Sequence, residues 1–320
     1  MYNKKGNRSS YRTIIRRKRF LISVAVLAIA GIVTAALIQT AGKLAGAARG
    51  EHKEILQLWE SASYDEVYRR CQNSLASRPM DYFALTMHGF AAYQLGISQI
   101  NSLNAAQYFD DCVWSLRKAA LLKNAANDGR LYYVLGKAYY YKGGPYADLC
   151  VKYLEKAGEL LYMAADIPEY LGMAYARIGD YRSSVAAFAE ALVLQGEDEI
   201  SDSEPSGLLL LSIARSYFAL EEFDMAAAYL QRCIDISPDS RTILSARLLL
   251  SEVLQKAGDN NGARKALMDI LEDTGENAEA HFQLGELYAL QGELTRARAE
   301  WRQALRADPA HLKARTRLSM

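Results

Sequence analysis

The sequence predicts an all-α chain in which about seven helix pairs stack into an α-solenoid behind a single transmembrane helix. Three observations predict this. A nineteen-residue apolar run, Phe20 to Ile38, follows a basic N-terminus. Beyond it, apolar residues recur at three- and four-residue intervals, the period of amphipathic helices. Glycines and large apolar side chains also return at a spacing of 34 residues, which marks a repeat architecture.

Composition and charge set the frame for these elements. The chain has 320 residues, 51% hydrophobic and 23% charged, with six prolines, the balance of an ordered chain. Its formal charge of +1 is unevenly spread. Residues 1–19 hold eight Lys or Arg and no acid, and 30 basic against 37 acidic residues remain beyond them, a net charge of about −7. A basic tip on a mildly acidic body does not fit a nucleic-acid-binding domain, and no nucleic-acid partner is expected. Cys71, Cys112, Cys150 and Cys233 lie far apart without a C-x-x-C pair, which speaks against a zinc site or a redox motif.

Taken in order, residues 1–19 form a basic cytoplasmic tip and residues 20–38 the transmembrane helix. As a helix the apolar run reaches roughly 28 Å, close to the roughly 30 Å hydrocarbon core of a bilayer. Only Lys43, Arg49 and Lys53 follow it closely, so the positive-inside rule puts the N-terminus in the cytoplasm and the rest across the membrane. In a bacterial cell that means the inner membrane, with the body of the chain in the periplasm. Ala45-Gly46-Ala47 offers a small-residue cleavage site. The apolar run nevertheless exceeds the roughly 7–15 residues of a cleaved signal, which favours an uncleaved anchor. Residues 39–47 are a linker.

The repeated region spans residues 48–311. Shifting it by 34 residues places Leu250 on Leu284, Leu254 on Tyr288, Gly258 on Gly292, Ala263 on Ala297 and Leu267 on Trp301. The last copy, with Leu284-Gly285, Tyr288, Gly292, Ala297, Trp301 and Pro309, resembles the tetratricopeptide repeat; only His281 departs from the usual aromatic at the first slot. Weaker copies carry Ile213, Ala214, Tyr217, Ala226, Leu230 and Pro238; then Leu171-Gly172, Tyr175, Gly179, Phe188 and Ala191; then Leu135-Gly136, Tyr139 and Gly143. Gly89 and Gly96 keep the glycine spacing of a further copy, in which the second helix is delayed by an insertion near 97–106. Trp59, Tyr64, Val67, Leu75 and Pro79 make the first and weakest copy.

The resemblance implies a right-handed superhelix whose first helices line the inner surface. An acidic, proline-containing insertion near 195–207 reads as a loop or joint, and residues 312–320 as a capping stub.

Chemistry is hard to find. His52, His88, His281 and His311 are isolated, and His88 and His281 fall in packing slots. Neither a nucleophile elbow nor a phosphate loop is present. No catalytic residue, metal ligand or cofactor is expected, and the chain is not read as an enzyme. The cysteines fall in second-helix slots that favour buried packing, although an exported location leaves a disulfide open.

The strongest local bias is aromatic: Arg130 to Tyr146 holds six tyrosines in seventeen residues. Tyr139 takes the packing slot. Tyr133, Lys137, Tyr140 and Tyr141 are expected on the inner face, with Phe90, Tyr93, Arg215 and Phe218 from neighbouring copies. Together they make a candidate partner-binding surface. The alternative is that these rings pack against adjacent helices. The Lys and Asn slots with which some tetratricopeptide domains clamp a chaperone's C-terminal carboxylate hold Tyr133 and Lys137, Glu169 and Met173, Leu211 and Arg215 here, so no such chaperone partner is expected.

By its layout the chain resembles single-span tetratricopeptide scaffolds of secretion, envelope biogenesis or periplasmic flagellar machinery, whose partners are other envelope proteins. The second reading is a ligand-binding accessory subunit of a transporter.

Overall fold

The computed structural model describes residues 50–99, 102–196 and 206–319. The expected basic tip, transmembrane helix and most of the linker lie outside the described residues, as does most of the acidic insertion. Among the described residues there is no strand, and no helix is long and apolar enough to cross a membrane. The chain divides into two compact units, Met1–Ala91 and Ala92–Met320.

In the first unit, α1 (residues 50–60) and α2 (Tyr64–Ser77) lead into α3 (Tyr82–Ser98). His52 stacks on Phe83, and Tyr68 on His88, with ring centroids 4.0 and 4.4 Å apart. Ile55, Val67, Cys71 and Leu85 are fully buried. Burial of this kind is what holds a short helix pair together, since isolated helices of this length are marginal in water.

The second unit continues with α4 (Ser102–Ala119), α5 (Gly129–Lys142), α6 (Ala147–Glu159), α7 (Ile167–Ile178) and α8 (Tyr181–Gly196). After the acidic insertion come α9 (Gly207–Ala219), α10 (Phe223–Ile236), α11 (Ser240–Lys256), α12 (Asn260–Thr274), α13 (Ala278–Leu290), α14 (Leu294–Ala307) and the short α15 (Leu312–Ser319). Each helix packs on the next, and from α5 to α13 the first helix of each pair also touches the first helix of the following pair. This is the contact pattern of a solenoid. The last helix covers the end of the stack, where Ala314 is fully buried against Trp301 and Ala304.

Local chemistry sets the helix boundaries. Asp128, Asp239, Asp259 and Asn277 precede α5, α11, α12 and α13, and each accepts a hydrogen bond from a backbone N–H of the first turn, satisfying donors that have no partner within the helix. Within pairs, a left-handed residue reverses the chain. Gly179, Gly258 and Gly292 take it at φ of 83°, 90° and 81°, while the same turn in the first and fifth pairs is made by Ala62 and Glu221 at 55° and 61°. Glycine is also required where two helices close tightly. A Cβ on Gly285 would stand 2.5 Å from Cδ1 and Nε1 of Trp301, and one on Gly172 2.5 Å from the Phe188 ring.

Gly96 departs from its expected role. Read as a turn glycine, it lies inside α3, where an added Cβ would meet the Phe109 ring at 2.8 Å. Much of the insertion near 97–106 is therefore helix: α3 and α4 have 17 and 18 residues, against 13 and 14 for α13 and α14.

Polar contacts cross several junctions between pairs at intervals of about one repeat, and those junctions use different sets. The Ser184 hydroxyl donates to the Gly172 carbonyl of its own pair at 2.8 Å and lies 2.9 Å from the Ser216 hydroxyl across the junction. Ser251 donates to Gln283 at 2.7 Å, Glu279 meets His311 at 3.1 Å, and Arg317 donates to Glu286 at 2.8 and 2.5 Å.

Candidate functional site

The second unit gathers Tyr93 of α3, Tyr133, Lys137, Tyr140 and Tyr141 of α5, and Asp166, Tyr170 and Met173 at the start and middle of α7. Residues four apart on α5 share a face, which places Tyr133, Lys137 and Tyr141 in one line. On α7, Asp166, Tyr170 and Met173 stand opposite them.

Lys137 is the centre of the cluster. Its side chain is 11% exposed, and its ammonium donates to Asp166 Oδ2 at 2.6 Å and to the Tyr133 hydroxyl at 3.0 Å. Tyr133 in turn donates to both Asp166 oxygens at 2.9 Å. The same ammonium lies 4.5, 4.9 and 5.7 Å from the ring centroids of Tyr170, Tyr133 and Tyr93, within the range of cation–π attraction. Burial pushes the Lys137 pKa down, but the hydrogen bonds to Asp166 and Tyr133 outweigh it and leave the group well above its ordinary value. Burial likewise raises the phenols of Tyr93, Tyr133 and Tyr170, the last also through its hydrogen bond with Tyr141. The Glu169 carboxyl is raised by burial and by nearby Asp166. The shifts of the lysine and the tyrosines run away from neutrality. Charge here is held for structure.

Around this centre the rings interlock. The hydroxyls of Tyr141 and Tyr170 are 2.9 Å apart, the Tyr140 hydroxyl points to the Met173 sulfur at 3.1 Å, and Arg177 lies 4.0 Å over the Tyr140 ring. Tyr141 stacks on Phe109 of α4, with centroids 5.1 Å apart and planes 3° from parallel. Tyr139 takes its expected packing position, buried and stacked on Tyr153 at 5.6 Å.

Tyr141 is 43% exposed and forms one wall of an open cavity of about 370 Å³. Ile97, Ala105, Ala106 and Phe109 supply apolar surface, with Gln99, Asp110 and Lys142 among the polar lining residues. Asp110 and Lys142 are paired with each other. The lengthened α3 and α4 create this cavity, since its lining comes from their facing ends and from the C-terminal turn of α5.

Thus Tyr93, Tyr133, Lys137, Tyr140 and Tyr141 come together, but Tyr93 and Lys137 are buried within the cluster, and Tyr141 is the most exposed of the five. Arg215 is exposed on α9, and Phe218 packs against Phe223 at 6.1 Å; neither has a ring contact or hydrogen bond with the cluster among the described contacts. Phe90 belongs to the first unit, where it is buried 6.4 Å from Trp59. Sequence reasoning missed Asp166, Tyr170 and Phe109. Two of the cluster's hydrogen-bonded pairs, Tyr133 with Asp166 and Tyr140 with Met173, are 33 residues apart. Scanning one repeat ahead of each inner-face residue would have found their partners.

The four cysteines are free and buried, on α2, α4, α6 and α10. Burial pushes the Cys71 and Cys150 thiols up to about 12. His281 meets Glu300 at 2.7 Å, and among the described residues no group of three or more metal-ligating side chains comes together.

Stacked helix pairs with touching first helices, and an aromatic cluster at their junctions, define an all-helical repeat protein of the solenoid class. Residues 170–241 and 248–311 match the tetratricopeptide repeat, a repeat whose stacked arrays offer extended surfaces to other proteins and peptides. It is similar in structure to the C-terminal part of a tetratricopeptide-repeat-containing protein from Cytophaga hutchinsonii, at 14% identity over 84% of this chain and 100% of that one, with a TM-score of 0.56. A tetratricopeptide repeat protein from Parabacteroides merdae matches at 12% identity over 84% of this chain and 98% of its own, with a TM-score of 0.49. At 14% identity the likeness to the Cytophaga protein is one of fold. None of the curated proteins compared with the chain matches it.

Proposed function

We propose that the chain is a membrane-anchored interaction scaffold, held in the inner membrane by residues 20–38 with its repeats in the periplasm, where it assembles proteins of a bacterial envelope complex. The observation that carries the binding part is the open cavity beside Tyr141. It lies where the insertion breaks the repeat pattern, and its apolar wall of Ile97, Phe109 and Tyr141 suits an apolar side chain projecting from a partner's segment. The anchor rests on the nineteen-residue apolar run and its basic flank.

Two experiments test the two parts. A reporter fused after Met320 is active only as an exported fusion if the orientation is right, and cytoplasmic activity reverses it. A photo-crosslinker at Tyr141 in living cells captures an envelope protein; crosslinks from Arg215 but none from Tyr141 move the binding surface elsewhere. The cavity also falls in the volume range of small-ligand sites, which keeps the transporter-accessory reading as second. Co-purification with a permease or a bound small molecule would favour it.

A further inference from the structure

The C-terminal half of α4 carries a chemistry different from that of the aromatic cluster. Residues 112–127 hold Arg117, Lys118 and Lys123 and no acidic residue. Of the flanking acids, Asp110 pairs with Lys142 and Asp128 caps α5, while Asp111, itself engaged, precedes Trp114 by one turn on its own face. Trp114 is 52% exposed, with the Lys118 ammonium 3.7 Å from its ring centroid, and Leu121, two turns further along, is 80% exposed. Lys123 is exposed as well, whereas the Arg117 side chain turns to the Tyr139 hydroxyl. Helical spacing puts Trp114 and Lys118 on one face, and Leu121 follows in the turn after α4.

We propose that this face, Trp114 with Lys118, Leu121 and Lys123, docks on the anionic headgroup layer of the bilayer that anchors the chain. Indole rings favour the membrane interface because one molecule-sized surface is apolar and its N–H is polar. Basic side chains beside such a ring lay their stems along it and hold their charges toward anionic lipid. Chain length brings the two together. Only eleven residues separate Ile38 from the start of α1, a reach of at most roughly 40 Å, so the folded chain is confined near the bilayer and even weak docking is populated. The proposal rests on the anchor reading.

The full chain, reconstituted into vesicles of phosphatidylcholine and phosphatidylglycerol with brominated acyl chains, provides the test. Three tryptophans emit, Trp59, Trp114 and Trp301, and a Trp114→Phe variant isolates the one at issue. Docking predicts that bromine quenches the part of the emission that Trp114→Phe removes. Lys118→Gln and Lys123→Gln should each lower the docked-to-undocked ratio by about fivefold, as should omission of the anionic lipid in stronger form. A chain that floats with the vesicles while Trp114 stays unquenched refutes the docking and leaves the anchor standing. A chain that does not float refutes both. Quenching that survives Trp114→Phe, or that ignores both lysines and lipid charge, overturns the assignment, and so does a Trp114 crosslink to a protein in place of lipid.

Discussion

Replacing Lys137 by methionine keeps the length of the side chain and removes its charge, so it isolates what the buried ammonium contributes. Breaking a buried ion pair by removing one partner costs about 3–5 kcal/mol when the other charge stays dry. Asp166 is not dry. Its side chain is 36% exposed and Tyr133 still donates to it, so water takes over part of the loss. The three ring contacts of the ammonium add a smaller amount, on the order of 0.5–1 kcal/mol for a partly solvated cation. The expected net cost is about 2 kcal/mol. Asp166→Asn and the double variant complete a cycle whose coupling should reach about 1 kcal/mol or more for groups in one network. Urea unfolding of the full chain in detergent, followed by circular dichroism, measures it. Because repeat arrays do not always unfold as one, hydrogen exchange in α5 and α7 gives the local value. The stabilisation has a definite pH window. A lysine whose folded pKa lies above its unfolded value contributes fully below about pH 10.4 and loses its contribution as pH rises through the folded value. The wild-type advantage over Lys137→Met should thus hold from neutral pH to about 10 and shrink above it. A variant as stable as wild type, or a coupling within about 0.3 kcal/mol of zero, would falsify the role assigned to this pair.

Three further outcomes follow from the packing. Gly285→Ala gains about 1 kcal/mol of helix propensity but drives a Cβ to 2.5 Å from Trp301, an overpacking cost of about 1–3 kcal/mol. Calorimetry should show net destabilisation that largely disappears in a Trp301→Leu background, and equal penalties in both backgrounds would contradict the contact. Glu221→Gly relieves a left-handed residue at φ 61°, a strain of about 1–2 kcal/mol, against the added freedom of glycine in the unfolded chain, about 0.5–1 kcal/mol. Its thermal midpoint should rise slightly, and a clear fall would show that the Glu221 turn is unstrained. All four cysteines, buried and with raised thiol pKa values, should react with a thiol reagent at pH 8 only after denaturation; rapid labelling of native protein, or fewer than four thiols afterwards, would overturn their description as free and buried.

The helical repeat was legible because its signals are local and recur in the same slots. Gly172 with Phe188 and Gly285 with Trp301 are sixteen residues apart in both copies, and the structure closes both as tight glycine–aromatic contacts. The turn expected at Gly96 was not legible, because glycine serves both the left-handed turn and the close approach, and composition does not distinguish the two. Helical period also sufficed to place Tyr133, Lys137 and Tyr141 on one face. What it could not supply was the phase of the next pair against this one. Asp166 and Tyr170 enter the cluster across a junction, at separations of 29 and 33 residues, and they decide that Lys137 is an internal partner instead of an open contact.

The polar contacts between pairs bear on how this array could have been built and how it can be rebuilt. Serine hydroxyls join at Ser184 and Ser216, serine meets glutamine at Ser251 and Gln283, and a lysine–tyrosine–aspartate set joins α5 to α7. Each of these three junctions therefore has its own lock and key. Excising one pair or exchanging two would set unmatched groups against each other, at about 1–3 kcal/mol for every buried donor or acceptor left without a partner. The order of the repeats is thus part of the information in the chain, and recombination that preserves every repeat but shuffles their sequence should yield a protein less stable than its parts would suggest.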